Sequence, residues 1–154
     1  MIIQYHRLRD DAIKPTRGHP SDAGLDVHYC PDDFSTTAQR IEPGESALLQ
    51  TGLRFEVPHG YMLEVKNRSS IAALRSLIVG ACVIDSGYAG EVFINLHNIG
   101  TETQLVEKGT KIAQLVMVPV VSFQTFENKE GELYEYPITI SARGAGALGS
   151  TDEA

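Results

Sequence analysis

Apolar and polar residues alternate with a period of two along several stretches of the chain. Residues 61–66 and 91–96 show this alternation, with an apolar side chain at every second position. Successive side chains of a strand point to opposite faces, so both stretches predict strands with one solvent-facing side. Residues 112–118 are apolar almost throughout, which predicts a strand buried on both faces.

Turn signals rich in glycine and proline separate these stretches, for example at residues 58–60 and 85–87. Many short strands with regular turns predict a sandwich, a jelly roll or a barrel. Only residues 69–77 have a helical pattern, with Ser69 or Ser70 as the predicted N-cap. The apolar stripe of this helix is predicted to consist of Ile71, Leu74 and Leu77.

The composition is that of one globular domain: 154 residues, 42% of them hydrophobic, 21% charged and none of them tryptophan. The net charge of −7 argues against a nucleic-acid binder, because such proteins neutralise phosphates with Lys and Arg. A small phosphate-bearing ligand is compatible with this charge where basic groups cluster locally. No signal peptide or membrane span is visible, which predicts a cytoplasmic protein.

The two cysteines, Cys30 and Cys82, lack the spacing of a zinc site. They are predicted to be free thiols, as in a reducing cytoplasm. Near the end of the chain, residues 127–135 are charged and predict an exposed hairpin tip or linker. Residues 141–150 are nearly all Gly, Ala and Ser around one Arg, which is too little apolar surface to order a segment alone.

Four features carry candidate chemistry, and each has a structural alternative. Asp85 lies in a turn between two strand patterns and either bonds its own turn or takes part in chemistry. Arg68-Ser69-Ser70 either begins a helix or binds an anion such as phosphate. Gln114, inside an apolar strand, satisfies a neighbouring loop or reaches a ligand. The glycine-rich segment 143–151 is either a disordered tail or an arm that folds over a polyanion.

Taken in order, five segments resemble the five motifs of the trimeric dUTP diphosphatase family. They are residues 23–27, 68–72, 80–92, 108–115 and 143–151, and together they span nearly the whole chain. The resemblance implies an all-β, jelly-roll-like β barrel of the β-clip type, with one short helix and a C-terminal Gly-rich arm. It implies a barrel domain over residues 1–140 and an arm over residues 141–154 that closes over a neighbouring active site.

The resemblance also implies a homotrimer with shared active sites, which hydrolyses dUTP to dUMP and pyrophosphate with Mg²⁺. Asp85 would be the general base that activates water for attack on the α-phosphate. Asp26 would support the magnesium-bound waters, while the triphosphate holds most of the metal contacts. The residues implied for the phosphate chain are Arg68, Ser69, Ser70, Gln114, Arg143, Ser150 and Thr151.

Uracil and deoxyribose have their own set of implied residues. Tyr88 would pack under the sugar, and the backbone from Gly80 to Val83 would pair with the base. The full implied set is Gly80, Ala81, Cys82, Val83, Tyr88 and Leu148. Leu148 stands where the family usually has a stacking aromatic residue, and Cys82 stands where a Gly is common.

The nearest alternative is dCTP deaminase, or a bifunctional deaminase and diphosphatase, which share several of these signatures. Both use a Glu three residues before an Asn that follows the third motif. That Asn is Asn98 here, and the earlier position is Asn95, which cannot shuttle protons. A further alternative is a phage-type or viral member with an added regulatory role, in which the chain also binds a protein partner.

Overall fold

The computed structural model describes residues 2–129, and this part of the chain is built mostly from β-strands. One helix, α1 (Ser69–Arg75), lies between the sixth and seventh of its strands. The predicted all-β class with one short helix is confirmed. The strands are β1 (Tyr5–Arg7), β2 (Leu25–His28), β3 (Ala38–Ile41), β4 (Ser46–Gln50), β5 (Leu53–Phe55), β6 (Tyr61–Lys66), β7 (Leu77–Val79), β8 (Val83–Ile84), β9 (Phe93–Asn98), β10 (Gln104–Glu107) and β11 (Lys111–Pro119).

The strands pair antiparallel in four sheets. The largest has the order β2-β11-β6-β8, the next has the order β4-β9-β7, and two further sheets pair β1 with β5 and β10 with β3. Within residues 2–129 these pairings do not join into one closed barrel. The four-stranded sheet is the one that positions the candidate site, because three of the five motif-like segments contribute a strand to it.

The alternating pattern in the sequence matches the observed burial. On β6, Leu63 and Val65 are buried, and around β9 the side chains of Val92, Ile94 and Leu96 are at most 1% exposed. The prediction for the third strand is right only in part. On β11, Ile112, Ala113 and Leu115 are buried in the part of the strand that pairs with β2. Beyond Leu115 only β6 pairs with it, and residues 116–118 are half-buried.

The helix differs from its prediction at both ends. Its N-cap is Arg68, in an extended conformation without a side-chain cap, and neither predicted serine fills that role. Ser76 adopts a left-handed conformation (φ 53°) and turns the chain into β7. The predicted stripe therefore reduces to Ile71, since Leu74 is 83% exposed and Leu77 is buried as part of β7 instead.

The chain divides into two compact units after Ser122. Residues 123–129, the described part of the second unit, contain no strand or helix and are exposed, as predicted for residues 127–129. The rest of the predicted linker and the predicted boundary at residues 140 and 141 lie outside the described residues. Both cysteines are free, as predicted. None of the helical segments in residues 2–129 has the length and apolar character needed to span a membrane.

Candidate functional site

The Asp26 carboxylate on β2 lies between two cations. Its Oδ1 is 3.0 Å from Nε of Arg68 and its Oδ2 is 2.9 Å from Nζ of Lys111. The three side chains are 13%, 25% and 39% exposed, respectively, so the pairs are shielded but open on one side. Two cations and one carboxylate leave one positive charge in excess. The arrangement therefore suits an anionic ligand, although the whole chain is acidic.

Arg68 reaches Asp26 because it stands at the junction of β6 and α1. Its carbonyl accepts the first helical hydrogen bonds, from the N–H groups of Ile71 and Ala72. Its guanidinium extends back over the sheet, where Nη1 also lies 3.5 Å from the carbonyl oxygen of Lys111. Ser69 and Ser70 follow it in the first turn with exposed side chains, so their hydroxyls are accessible on the same segment.

Gln114 is half-buried on β11, beside Asp26 in the strand register. Its Nε2 donates to the carbonyl oxygen of Asn67 at 2.9 Å. The side chain fills the space over Gly24, where an added Cβ would lie only 1.9 Å from Oε1 of Gln114. The sequence left two interpretations of Gln114 open, a bond to a neighbouring loop or contact with a ligand, and the structure contains the bond to the loop. We refer to Asp26, Arg68, Lys111 and Gln114 as the phosphate cluster, because the resemblance implies a phosphate chain in this region.

Asp85 begins an exposed turn directly after β8. Its carbonyl oxygen accepts a bond from the Tyr88 N–H at 3.2 Å, and Gly87 provides the left-handed conformation that the turn requires (φ 88°). The Tyr88 hydroxyl donates to the Glu91 carbonyl oxygen at 2.8 Å, which folds the ring over Gly90. The carboxylate of Asp85 is thus presented to solvent by a structured turn.

Residues 80–83 are a second part of the candidate site, here termed the base segment because the resemblance implies that their backbone pairs with the base. The Gly80 N–H donates to the Asn95 carbonyl oxygen at 2.9 Å, and the Cys82 carbonyl oxygen accepts from the Val65 N–H at 2.7 Å. Gly80 lies directly over two side chains of β9: an added Cβ would be 2.2 Å from Oδ1 of Asn95 and 2.4 Å from Nε2 of His97. The close approach explains why this position requires glycine.

Within one chain, Asp85 lies far from the phosphate cluster along the four-stranded sheet. In the register of the four-stranded sheet, Asp26 is level with Lys66, whereas Ile84, the neighbour of Asp85, is level with Leu63. β2 and β8 are three strands apart, and the offset along β6 is three residues. Standard strand dimensions convert this into about 17 Å between the two backbones. Within one chain, the Asp85 turn and the Asp26 ion pairs therefore lie at different places on the four-stranded sheet.

Sequence reasoning missed two polar residues of this region. Lys111 lies in the motif-like segment 108–115 without an implied role, and its ion pair with Asp26 joins residues that are 85 positions apart in sequence. His28, opposite Lys111 in the register, is 8% exposed, and its Nδ1 has no partner among the described residues. Burial lowers the pKa of His28, and the charges of Lys111 and Arg68 lower it further against the opposing effect of Asp26.

The described residues do not contain a group of three or more His, Cys, Asp or Glu that would form a metal site. Both carboxylate oxygens of Asp26 already contact cations. The predicted arm residues Arg143, Leu148, Ser150 and Thr151 lie outside the described part of the chain, and their roles stay predictions.

Comparison with known proteins assigns the family. The dUTPase family model matches residues 10–142. The chain belongs to the dUTPase family. The deoxyuridine 5′-triphosphate nucleotidohydrolase of Clostridium acetobutylicum is 40% identical over 151 residues, which cover 97% of this chain and 95% of the relative.

Two solved phage structures share the fold. The dUTPase of Staphylococcus bacteriophage 80alpha, a G164S mutant with dUpNHpp, has a TM-score of 0.77 at 26% identity and covers 97% of both chains. A mutant dUTPase from phage phi11 of S. aureus, described as coordinating a structural Mg(II) ion, has a TM-score of 0.74 at 25% identity. The latter match covers 86% of this chain and 100% of the phage chain.

Proposed function

We propose that this member of the dUTPase family hydrolyses dUTP to dUMP and pyrophosphate. The reaction keeps uracil out of DNA and supplies dUMP for thymidylate synthesis. The observation that carries the proposal is the phosphate cluster, because a shielded excess positive charge on an acidic protein suits the triphosphate of the substrate. The full-length similarity to named dUTP nucleotidohydrolases gives the base and the reaction.

The phosphate chain binds to Arg68 and Lys111, with the hydroxyls of Ser69 and Ser70 as further donors. Asp26 holds both cations side by side, so they are oriented before the substrate arrives. Gln114 contributes by fixing the Asn67 loop, which carries Arg68. The arm residues Arg143, Ser150 and Thr151 complete the phosphate contacts.

Asp85 is the general base. Its exposed carboxylate accepts a proton from a water molecule, and the water oxygen forms a bond to the α-phosphorus. The bond from that phosphorus to the oxygen bridging to the β-phosphate breaks, and pyrophosphate leaves with the electron pair. The structured turn at Asp85 supports this role, since it limits the positions that the carboxylate can adopt.

The base segment recognises uracil through its backbone, and Tyr88 packs under the sugar. A fixed pattern of donors and acceptors rejects cytosine, because mismatched polar groups are left unpaired. Support comes from the hydrogen bonds that anchor Gly80 and Cys82 to neighbouring strands. Ala81 and Val83 line the same segment, and Leu148 covers the base from the arm.

Mg²⁺ is the proposed cofactor, bound mainly by the triphosphate and water, where it neutralises phosphate charge. The residues fit this mode of binding better than a protein cage, since Asp26 is engaged by two cations and its surroundings favour a polyanion. Asp26 would then support the water molecules that the magnesium ion carries. The phi11 dUTPase with its structural Mg(II) ion supports the use of this metal in the family.

A homotrimer with shared sites is the proposed assembly. The separation of about 17 Å between the backbones of Asp26 and Ile84, the neighbour of Asp85, supports it, because one substrate needs Asp85 and the phosphate cluster at the same phosphate. Asp85 of one subunit then completes the phosphate cluster of its neighbour. We place the enzyme in the cytoplasm, with dUTP as its small-molecule partner and no role for nucleic acid or membrane.

The deaminase alternative is not favoured, although a distant relation to dCTP deaminase remains part of our proposal for the fold. Asn95 occupies the position of the deaminase Glu, and its amide oxygen lies 2.8 Å from Nε2 of His97. A regulatory protein partner is supported only by likeness to the bacteriophage 80alpha dUTPase, which belongs to phage dUTPases described as controlling the transfer of virulence genes.

The decisive experiment measures pyrophosphate release from each deoxynucleoside triphosphate with the wild type, Asp85→Asn and the control Asp32→Asn. Asp32 is exposed, and its hydrogen bond uses only its backbone N–H. We expect rapid turnover of dUTP alone, full activity in the control, and a loss of at least about 3 kcal/mol of transition-state stabilisation in Asp85→Asn. Release of ammonia from dCTP, or no hydrolysis of dUTP, would contradict the proposal. Sedimentation should show a trimer, and a stable active monomer would contradict the shared site.

A further inference from the structure

Asn67 closes the loop that carries Arg68. The chain leaves the four-stranded sheet at this residue, forms α1 and enters the three-stranded sheet through β7. The N–H of Val79 donates to Oδ1 of Asn67 at 2.7 Å, across twelve residues. On its other side, the carbonyl oxygen of Asn67 accepts the bond from Gln114 at 2.9 Å. One residue therefore contacts both the phosphate cluster and the end of β7.

The end of β7 leads directly into the base segment. Val79 precedes Gly80, and the base segment is then held by Asn95 on β9 and Val65 on β6. Asn67 accepts the hydrogen bond from Val79, directly before this segment. Its amide thus links the residue next to Arg68 to the residue next to the base segment.

We propose that Asn67 is a positioning residue that keeps the phosphate cluster and the base segment at the offset that a whole nucleotide requires. The inference rests on the proposed function. In a trimer the two parts of one chain serve neighbouring sites, and threefold symmetry transfers their offset to every site. A ligand that spans both parts depends on this offset, whereas a ligand that fills one part does not.

The experiment compares three ligands on the full chain: dUpNHpp, inorganic tripolyphosphate and deoxyuridine. Asn67→Ala removes the acceptor for Val79 but keeps the backbone bond to Gln114. We expect the Kd of dUpNHpp to rise about threefold to tenfold, which is the usual net effect of one hydrogen bond. The dissociation constants of the two fragments should stay within about twofold. The KM for dUTP should rise by a similar factor, with a smaller change in kcat.

Asn67→Asp is the conservative variant, because it keeps an acceptor oxygen in place but adds a negative charge beside the phosphates. We expect it to raise the dissociation constants of dUpNHpp and tripolyphosphate by the same factor, with no additional rise for dUpNHpp. Gln39→Ala is the matched control: it removes an amide that donates to the Arg40 carbonyl oxygen on β3. All three ligands should bind this control as they bind the wild type.

If Asn67→Ala weakened the binding of all three ligands equally, the residue would have a general structural role and the inference would be overturned. Unchanged binding of all three ligands would also overturn it. A melting curve accompanies each variant. Should Asn67→Ala not be folded, the Asp variant decides the question, because an additional loss for dUpNHpp over tripolyphosphate would also refute the inference. Rapid turnover of dUTP by the wild type tests the proposed function separately.

Discussion

Gly24→Ala tests how closely the phosphate cluster is packed. Gly24 is buried, and its φ lies outside the left-handed region, so the backbone itself accepts alanine. The added Cβ would meet three atoms of the Gln114 side chain, at 1.9 Å from Oε1, 2.6 Å from Cδ and 2.9 Å from Cβ. The first two contacts can be relieved by rotating the side chain. The third cannot, because the Cβ of Gln114 is fixed to the backbone of β11.

The magnitude follows from these contacts. Rotation of Gln114 breaks its hydrogen bond to Asn67, which costs about 1 kcal/mol. The remaining overlap between β11 and the Gly24 loop costs about 1–3 kcal/mol, as in other overpacked sites. A gain of about 0.5 kcal/mol from the stiffer unfolded chain offsets part of this. We therefore expect Gly24→Ala to lower the free energy of unfolding by about 1.5–3.5 kcal/mol.

The assay is a double-mutant cycle measured by denaturant unfolding at one fixed protein concentration. In a Gln114→Ala background two of the three overlaps are absent and no hydrogen bond to Asn67 is left to break, so the cost of Gly24→Ala should fall by about 1 kcal/mol. A coupling energy of about 1 kcal/mol between the two positions is the expected result. Costs that add within about 0.5 kcal/mol would refute the close packing of Gly24 against Gln114.

Two further predictions concern Gly80 and His28. Gly80→Ala should weaken the discrimination of dUTP against dCTP in steady-state kinetics, because its Cβ would displace Asn95 and His97. Asn95→Ala in the same chain should restore part of this discrimination. The pKa of His28 is lowered from its ordinary value of 6.5, first by burial and then by Lys111. The unfolded chain therefore binds this proton more tightly, so stability present above about pH 6.5 should be lost as the pH falls through the folded pKa. Denaturation curves at several pH values should show this slope in the wild type and a smaller one in His28→Gln; equal slopes would contradict it.

The strands could be predicted from sequence because their signal is local. The two-residue period at residues 61–66 and 91–96 reports a buried and an exposed face, and both stretches are strands with that burial. The helix was harder. Its end depends on the left-handed Ser76 and on β7, which takes Leu77 into the second sheet. Neither fact is visible in a window of seven residues.

The candidate site could be predicted only as a set of segments. Asp26, Arg68 and Gln114 were named from their motifs, but their partners depend on pairings between distant strands. Lys111 approaches Asp26 because β11 pairs with β2, and nothing in the residue type distinguishes it from other lysines. Asn67 could not be recognised from sequence for the same reason, because its proposed role depends on the hydrogen bond that it accepts from Val79, twelve residues away.

The arrangement around Asp26 explains how an acidic protein can attract a polyanion. The chain carries a net charge of −7, which repels a triphosphate at long range. Salt screens such repulsion beyond about 8–10 Å, so the local field decides binding. Without Asp26, Arg68 and Lys111 would repel each other and separate; with it, they are held as a pair with one positive charge in excess. A carboxylate at the centre of the proposed phosphate site would thus strengthen that site, because it fixes the geometry of two cations that we propose bind the substrate together.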